Sequence, residues 1–160
     1  MRTCAFTGHR RIKDSHRVAI VGMIIRAIDY CYREGCRIFY SGGAVGFDTL
    51  AAREVLRFRI DHSDVSLVML LPCIEQGKKW SRAEIESYEY LLRNADEVKY
   101  ISDEYTEGCM RERNFALASA ADILISYVCR NNSGSAQTAR MADKMGKQIY
   151  NLYPSLENGI

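Results

Sequence analysis

Short apolar runs and runs of helical periodicity alternate along this chain, and that order admits few folds. Thr3 to Thr7 reads as a strand, and "SHRVAIVGMIIRAIDYCYREG" sets apolar residues at helical spacing before Gly35 as a stop. "RIFYS" is a second strand, followed by a glycine-rich loop and a helix from about Asp48 to Phe58. "VSLVMLLP" is continuously apolar, as a strand buried on both faces would be. Ser81 and Glu84 stand three apart at the head of "SRAEIESYEYLLRNA", the spacing of a capping box. "EVKYIS", "CMRERNFALASAA", "DILISYV", "SAQTARMADKM" and "QIYNLY" continue the alternation, with Gly146 closing the last helix. The order predicts an α/β domain: a mainly parallel sheet of about six strands with helices on both faces. Only the tail "SLENGI" reads as loose.

With 160 residues and 48% apolar content, the chain can bury one full core and is too short for two ordinary ones. Its net charge of +2 is far from the basic excess of a dedicated DNA-binding module and is by itself neutral about nucleic acid; with arginines and lysines spread along the chain DNA is not expected as a partner, and a single-strand DNA binder stays as an alternative. The six cysteines contain no C-x-x-C pair, which predicts free thiols in a reducing cytoplasm. The longest apolar run, Val18 to Ile28, is short and holds Gly22 and Arg26, and "MRTCAFTGHR" has no signal core, so no membrane association is expected. No two histidines have metal-ligand spacing, and His16 and His62 fall in polar contexts that predict exposure. Tyr88, Tyr90, Tyr100 and Tyr105 lie on amphipathic segments and fit core margins or a homo-oligomer interface.

In an open parallel sheet, ligands bind at the carboxyl ends of the strands, where loops enter helix N-termini with unpaired N–H groups. Three loops fall there. "FYSGGAVGFDTLAAREVL" packs Gly42, Gly43 and Gly46 around Ala44, and missing side chains let a phosphate approach the backbone. The G-G-x-x-G spacing is neither a dinucleotide fingerprint nor a P-loop, and it serves a tight turn with close helix packing equally well. In "TGHR", Thr7 and Gly8 offer a hydroxyl and a bare N–H, while His9 and Arg10 add donors and charge. "NNSGSAQT" places Ser133, Gly134, Ser135 and Thr138 at a helix start, as a second anion site or as a plain serine cap.

Taken in order, "FTGHR", "SGGAVGFDTLAAREVL", "LLPC", "KKW", "MRERNFALASAADILISYV" and "SGSAQTARMADKMGKQI" resemble the SLOG superfamily. This is the Rossmann-like group that includes LOG phosphoribohydrolases and the core of DNA-processing protein A, and the resemblance is to its YpsA-like branch. It implies a single Rossmann-like three-layer domain over residues 1–154, followed by a tail over 155–160. It also implies a pocket for a small nucleotide or nucleotide-derived ligand such as ADP-ribose or NAD, with a sensor or regulator role in bacterial stress or cell division. LOG enzymes carry a P-G-G-x-G-T-x-x-E stretch with a catalytic glutamate. The matching "SGSAQTAR" has Ser133 for a glycine, Ser135 for the threonine and no glutamate on the next turn, which argues against N-glycosidic hydrolysis by that mechanism; a glycosidic or phosphate hydrolase using Asp48, Glu54 or His9 stays as the alternative.

Single residues follow by mechanism. Asp48, at a helix head, is expected to cap the helix, with ribose recognition second and catalysis last. Glu54 reads as solvated or ion-paired. Arg113 and Asn114 resemble a family segment that approaches the ligand, and helix geometry lets only one of Arg111 and Arg113 enter a pocket. Phe115, Leu117, Ile123 and Leu124 are assigned to the core. Trp80, in the polar loop "QGKKWSRAE", is a candidate lid on which a base could stack, or else a hydrophobic anchor for its own loop.

Overall fold

The structure, a computed structural model, describes residues 1–74 and 76–159. Six strands, β1 (Arg2–Gly8), β2 (Cys36–Ser41), β3 (Ser66–Cys73), β4 (Glu97–Ser102), β5 (Ile123–Tyr127) and β6 (Gln148–Asn151), form one sheet in the order β4-β3-β2-β1-β5-β6. Every pairing is parallel. The helices are α1 (Arg17–Arg33), α2 (Phe47–Asp61), α3 (Arg82–Asn94), α4 (Cys109–Ala120), α5 (Gly134–Lys144) and α6 (Tyr153–Glu157). This is a single Rossmann-like α/β domain. No helix among the described residues is long and apolar enough to cross a membrane.

Strand side chains alternate between two cores. Cys4 and Phe6 of β1, Leu67, Met69 and Leu71 of β3, and Ile123 and Ile125 of β5 join α1, α2, α3 and α6 in the larger core. Ala5, Leu70 and Leu124, from the intervening positions, meet α4 and α5 in the smaller one. Both faces of β3 are therefore covered, as its unbroken apolar run predicted. The capping box of α3 is present: Ser81 Oγ accepts from the Glu84 N–H at 3.2 Å and Glu84 Oε1 accepts from the Ser81 N–H at 2.8 Å.

Some expectations need correction. The last strand ends at Asn151, because Pro154 in the first turn of α6 fixes a helical φ there. The tail expected to be loose is folded through Glu157, since Leu156 inserts into the larger core; Ile160 lies outside the described residues. Phe115 points away from the core and is 54% exposed, while Leu117, Ile123 and Leu124 are buried. His16 is buried rather than exposed, because its Nδ1 shares a 2.7 Å hydrogen bond with the Tyr127 hydroxyl and its ring packs edge-on against Tyr153. All six cysteines are free thiols, and only Cys129 is exposed.

Candidate functional site

The chain crosses from β1 to β2 on one side of the sheet and later returns to β5 on the other, so the loops after β1 and β5 diverge and leave a cleft at the strand ends. A cavity of about 390 Å³ opens there. Thr7 and Gly8 line it from the end of β1, His9, Arg10 and Arg11 from the loop that follows, and Ala44 and Asp48 from the entry to α2. Met110, Arg113, Asn114 and Leu117 contribute from α4, and Arg130, Ser133, Gly134 and Ser135 from the entry to α5. First turns of α2, α4 and α5 thus converge on one space, each bringing the positive end of a helix dipole.

Most of the residues named from the sequence come together here. Gly42, Gly43, Gly46, Trp80 and Thr138 do not line the cavity. The glycine loop serves close packing, not open access. A β-carbon on Gly42 would stand 2.7 Å from Arg113 Nη1, and one on Gly43 would stand 2.8 Å from Leu71 Cδ2. One on Gly46 would fall on the backbone of Arg10, and Gly43 and Gly46 hold φ of +69° and +89°. The space beside these glycines is filled by protein, which explains why the sequence needs them. Gly8 is bare for a similar reason, since a β-carbon there would meet the Phe47 ring at 2.5 Å. Thr138 is buried and donates from Oγ1 to the Gly134 carbonyl at 3.1 Å. Trp80 packs edge-on against Tyr88 at 5.2 Å on the larger core.

Asp48 does not cap its helix. The N-cap of α2 is Gly46, with no side-chain cap, and Asp48 points from the first turn into the cavity, only 4% exposed. Its Oδ1 has no hydrogen-bond partner among the described residues. Burial raises its carboxyl to about pH 7, against the opposing pull of Arg113, the Gly8 and Ala44 amides and Arg10. Arg113 is also buried and donates to the Gly42 carbonyl at 2.6 Å, to Asn114 Oδ1 at 3.1 Å and to Gln76 Oε1 at 3.4 Å. Burial lowers its pKa, with Asp48 offsetting part of that cost. Arg111 is exposed on the opposite side of α4, as helix geometry required. Glu54 is buried away from the cavity and pairs with Arg57 at 3.0 Å.

His9 is held in one tautomer. Its Nε2 accepts from the Cys129 N–H at 2.9 Å, so the ring proton sits on Nδ1, which donates to Ser135 Oγ at 3.2 Å. Burial first, and Arg130 second, push its pKa below the usual histidine value, in line with the unprotonated Nε2 that accepts from Cys129. A histidine that donates to a serine hydroxyl cannot also remove that hydroxyl's proton, so Ser135 and His9 are not a nucleophile and base. Ser133 caps α5 by accepting from the Ala136 N–H at 3.1 Å.

Sequence reading missed Arg11, Met110, Leu117 and Arg130 as cavity residues. Arg11 and Arg130 stand in the two loops already singled out, so the signal was an arginine beside each small-residue motif. Met110 and Leu117 flank Arg113 on α4, Met110 three positions before it and Leu117 four after, and share its helical face.

Other proteins share this sequence pattern and this fold. UPF0398 protein BH1768 of Halalkalibacterium halodurans is 26% identical over 84% of this chain and 76% of its own length. The SPbeta prophage-derived protein YoqJ of Bacillus subtilis is 25% identical over 72% of this chain and 76% of its own. Among solved structures, DNA processing protein A of Streptococcus pneumoniae superposes with a TM-score of 0.68 at 17% identity, over 94% of this chain and 50% of that one. DNA processing protein A of Helicobacter pylori, described in a single-stranded DNA binding mode, superposes with a TM-score of 0.67 at 21% identity, over 92% of this chain and 63% of that one. The present chain thus spans half to under two thirds of those proteins, and the likeness is one of fold. The profile of the YspA SLOG family matches residues 5–154, nearly the whole chain and every loop of the cavity. The chain belongs to the YspA SLOG family.

Proposed function

We propose that this protein binds a small phosphate-bearing nucleotide, of the ADP-ribose or NAD kind, in the cavity between β1 and β5, and acts as a sensor or regulator rather than as a hydrolase. The observation that carries this reading is the charge of the walls. Arg10, Arg11, Arg113 and Arg130 line a cavity onto which the positive ends of three helices also open. None of the four forms a salt bridge among the described residues, and Asp48, the one carboxylate on the wall, balances only part of their charge. Phosphate oxygens would supply the missing negative charge, and Met110 and Leu117 offer an apolar wall to a base or ribose. Against hydrolysis stand the absence of a glutamate in "SGSAQTAR" and the fixed tautomer of His9.

A thermal-shift series with AMP, ADP-ribose, NAD and adenosine tests this. Phosphate-bearing compounds are expected to raise the melting temperature and adenosine to leave it unchanged. Base release from AMP at an ordinary enzymatic rate, about one per second or faster, would restore the hydrolase reading. Binding of a single-stranded oligonucleotide more tightly than any mononucleotide, at physiological salt, would favour the mode described for the Helicobacter pylori protein.

A further inference from the structure

Asp48 is out of place in a cavity built for an anion. Every other charged wall is cationic: Arg10 and Arg11 after β1, Arg113 on α4 and Arg130 before α5, with neutral His9 between them. The backbone N–H groups of Gly8 and Ala44 also face the Asp48 carboxyl. A carboxylate in that position would repel the ligand that the arginines attract, and burial would deny water the chance to screen the repulsion. A carboxylic acid would not. It carries a single O–H donor, and the Asp48 carboxyl, on the cavity wall with an Oδ1 that is buried and unpartnered among the described residues, has a hydrogen bond still to make.

We propose, resting on the anion-binding reading above, that the ligand enters this cavity together with a proton, which resides on Asp48 and is donated as an O–H hydrogen bond from its carboxyl to a ligand oxygen. Asp48 is then a specificity residue of unusual sign. It accepts an oxyanion oxygen, which has only lone pairs to offer, and discriminates against a hydroxyl group that needs its own donor satisfied. The carboxyl sits close enough to neutrality when empty that the ligand has only a small protonation cost to overcome. Arg113, the Gly8 and Ala44 amides, Arg10 and the N-terminal dipole of α2 favour the ionised form, and the charge of a bound anion opposes it.

The experiment is a calorimetric titration of sulfate and of NAD into the intact protein from about pH 6.5 to about pH 8.5, a window in which neither the sulfate nor the pyrophosphate diester changes charge and which starts at the ordinary histidine value, below which burial pushes His9. Affinity is expected to fall by roughly tenfold or more across that window. In two buffers of different ionisation enthalpy, the heats should report close to one proton taken up per ligand bound at about pH 8. Asp48→Asn keeps a donor in place without a titration, so its affinity should be independent of pH and at least equal to that of the native protein at about pH 6.5. Affinity that is constant or rises with pH, with no proton uptake, would overturn the proposal even if Asp48→Asn failed to fold. Loss of binding at every pH in a folded Asp48→Asn protein would point to an ionised Asp48 holding ligand hydroxyls and overturn it as well. Failure of both ligands to bind at any pH would remove the anion-binding reading itself, and this proposal with it.

Discussion

Arg113 donates from Nη1 to the Gly42 carbonyl at 2.6 Å, joining the helix that carries the deepest positive charge of the cavity to the loop that the sequence marks with glycines. The bond explains why Gly42 must be bare, since a β-carbon there would stand on the guanidinium. Arg113→Ala leaves that carbonyl with only the longer bond from Gln76 Nε2 at 3.3 Å, and Asp48 without its largest favourable charge. Urea denaturation should show a loss of about 2 to 4 kcal/mol, with Arg113→Lys intermediate because one ammonium cannot reach all three acceptors. Full stability in Arg113→Ala would mean that the buried guanidinium is kept only for a ligand.

Gly46→Ala should abolish folding, because its β-carbon falls on the Arg10 backbone at a φ of +89°. Gly146 has a similar φ of +75° but open space around it, so Gly146→Ala should cost only about 1 kcal/mol. Gly43→Asp, which would otherwise test phosphate access, is expected to unfold the protein through its collision with Leu71. Circular dichroism melts of the three variants compare these outcomes directly.

Trp80 should report on packing and not on ligand. Its edge-on contact with Tyr88 anchors the loop after β3 to the larger core. Trp80→Ala is expected to lose about 2 to 4 kcal/mol of stability and to retain native affinity for NAD. A tenfold weaker NAD complex with native stability would reinstate a lid.

Asp48 should make the protein less stable as pH rises. Its carboxyl is raised from the ordinary 3.8 to about 7, so between those values the folded state holds a proton that the unfolded state has released. Stability from this group is complete below about pH 4 and is lost progressively up to about pH 7, a total on the order of 4 kcal/mol. Asp48→Asn removes the titration and should be more stable than the native chain at about pH 8, with the advantage vanishing near about pH 4. Parallel stability curves for the two proteins would show that Asp48 ionises freely in the fold.

The elements were legible because their signals are local. The buried run of β3, the capping box at Ser81 and the alternation of strands and helices each act within a few residues of chain. The three loops of the site followed from topology, since a parallel sheet puts every strand-to-helix turn at one edge. What stayed hidden depended on contacts between distant segments. Gly46 reads alike whether it faces a phosphate or Arg10, and only the approach of the first loop decides between them. His16 looks solvent-exposed until Tyr127 and Tyr153 close over it from the far end of the chain. Asp48 was named as a pocket candidate but read first as a cap, because a helix-head aspartate normally caps, whereas here Gly46 starts the helix two residues earlier and the carboxyl turns inward.

The most direct measurement is a calorimetric titration of NAD at moderate salt into the native protein and into a variant carrying Arg10→Ala and Arg130→Ala. Both arginines are exposed at the cavity rim, and no hydrogen bond or ion pair ties either side chain to the fold among the described residues. Their loss should leave the melting temperature unchanged while weakening NAD binding by roughly tenfold or more, and raising the salt concentration should narrow the difference. Equal affinity in the two proteins, or no heat of binding in either, would contradict an anion site between β1 and β5.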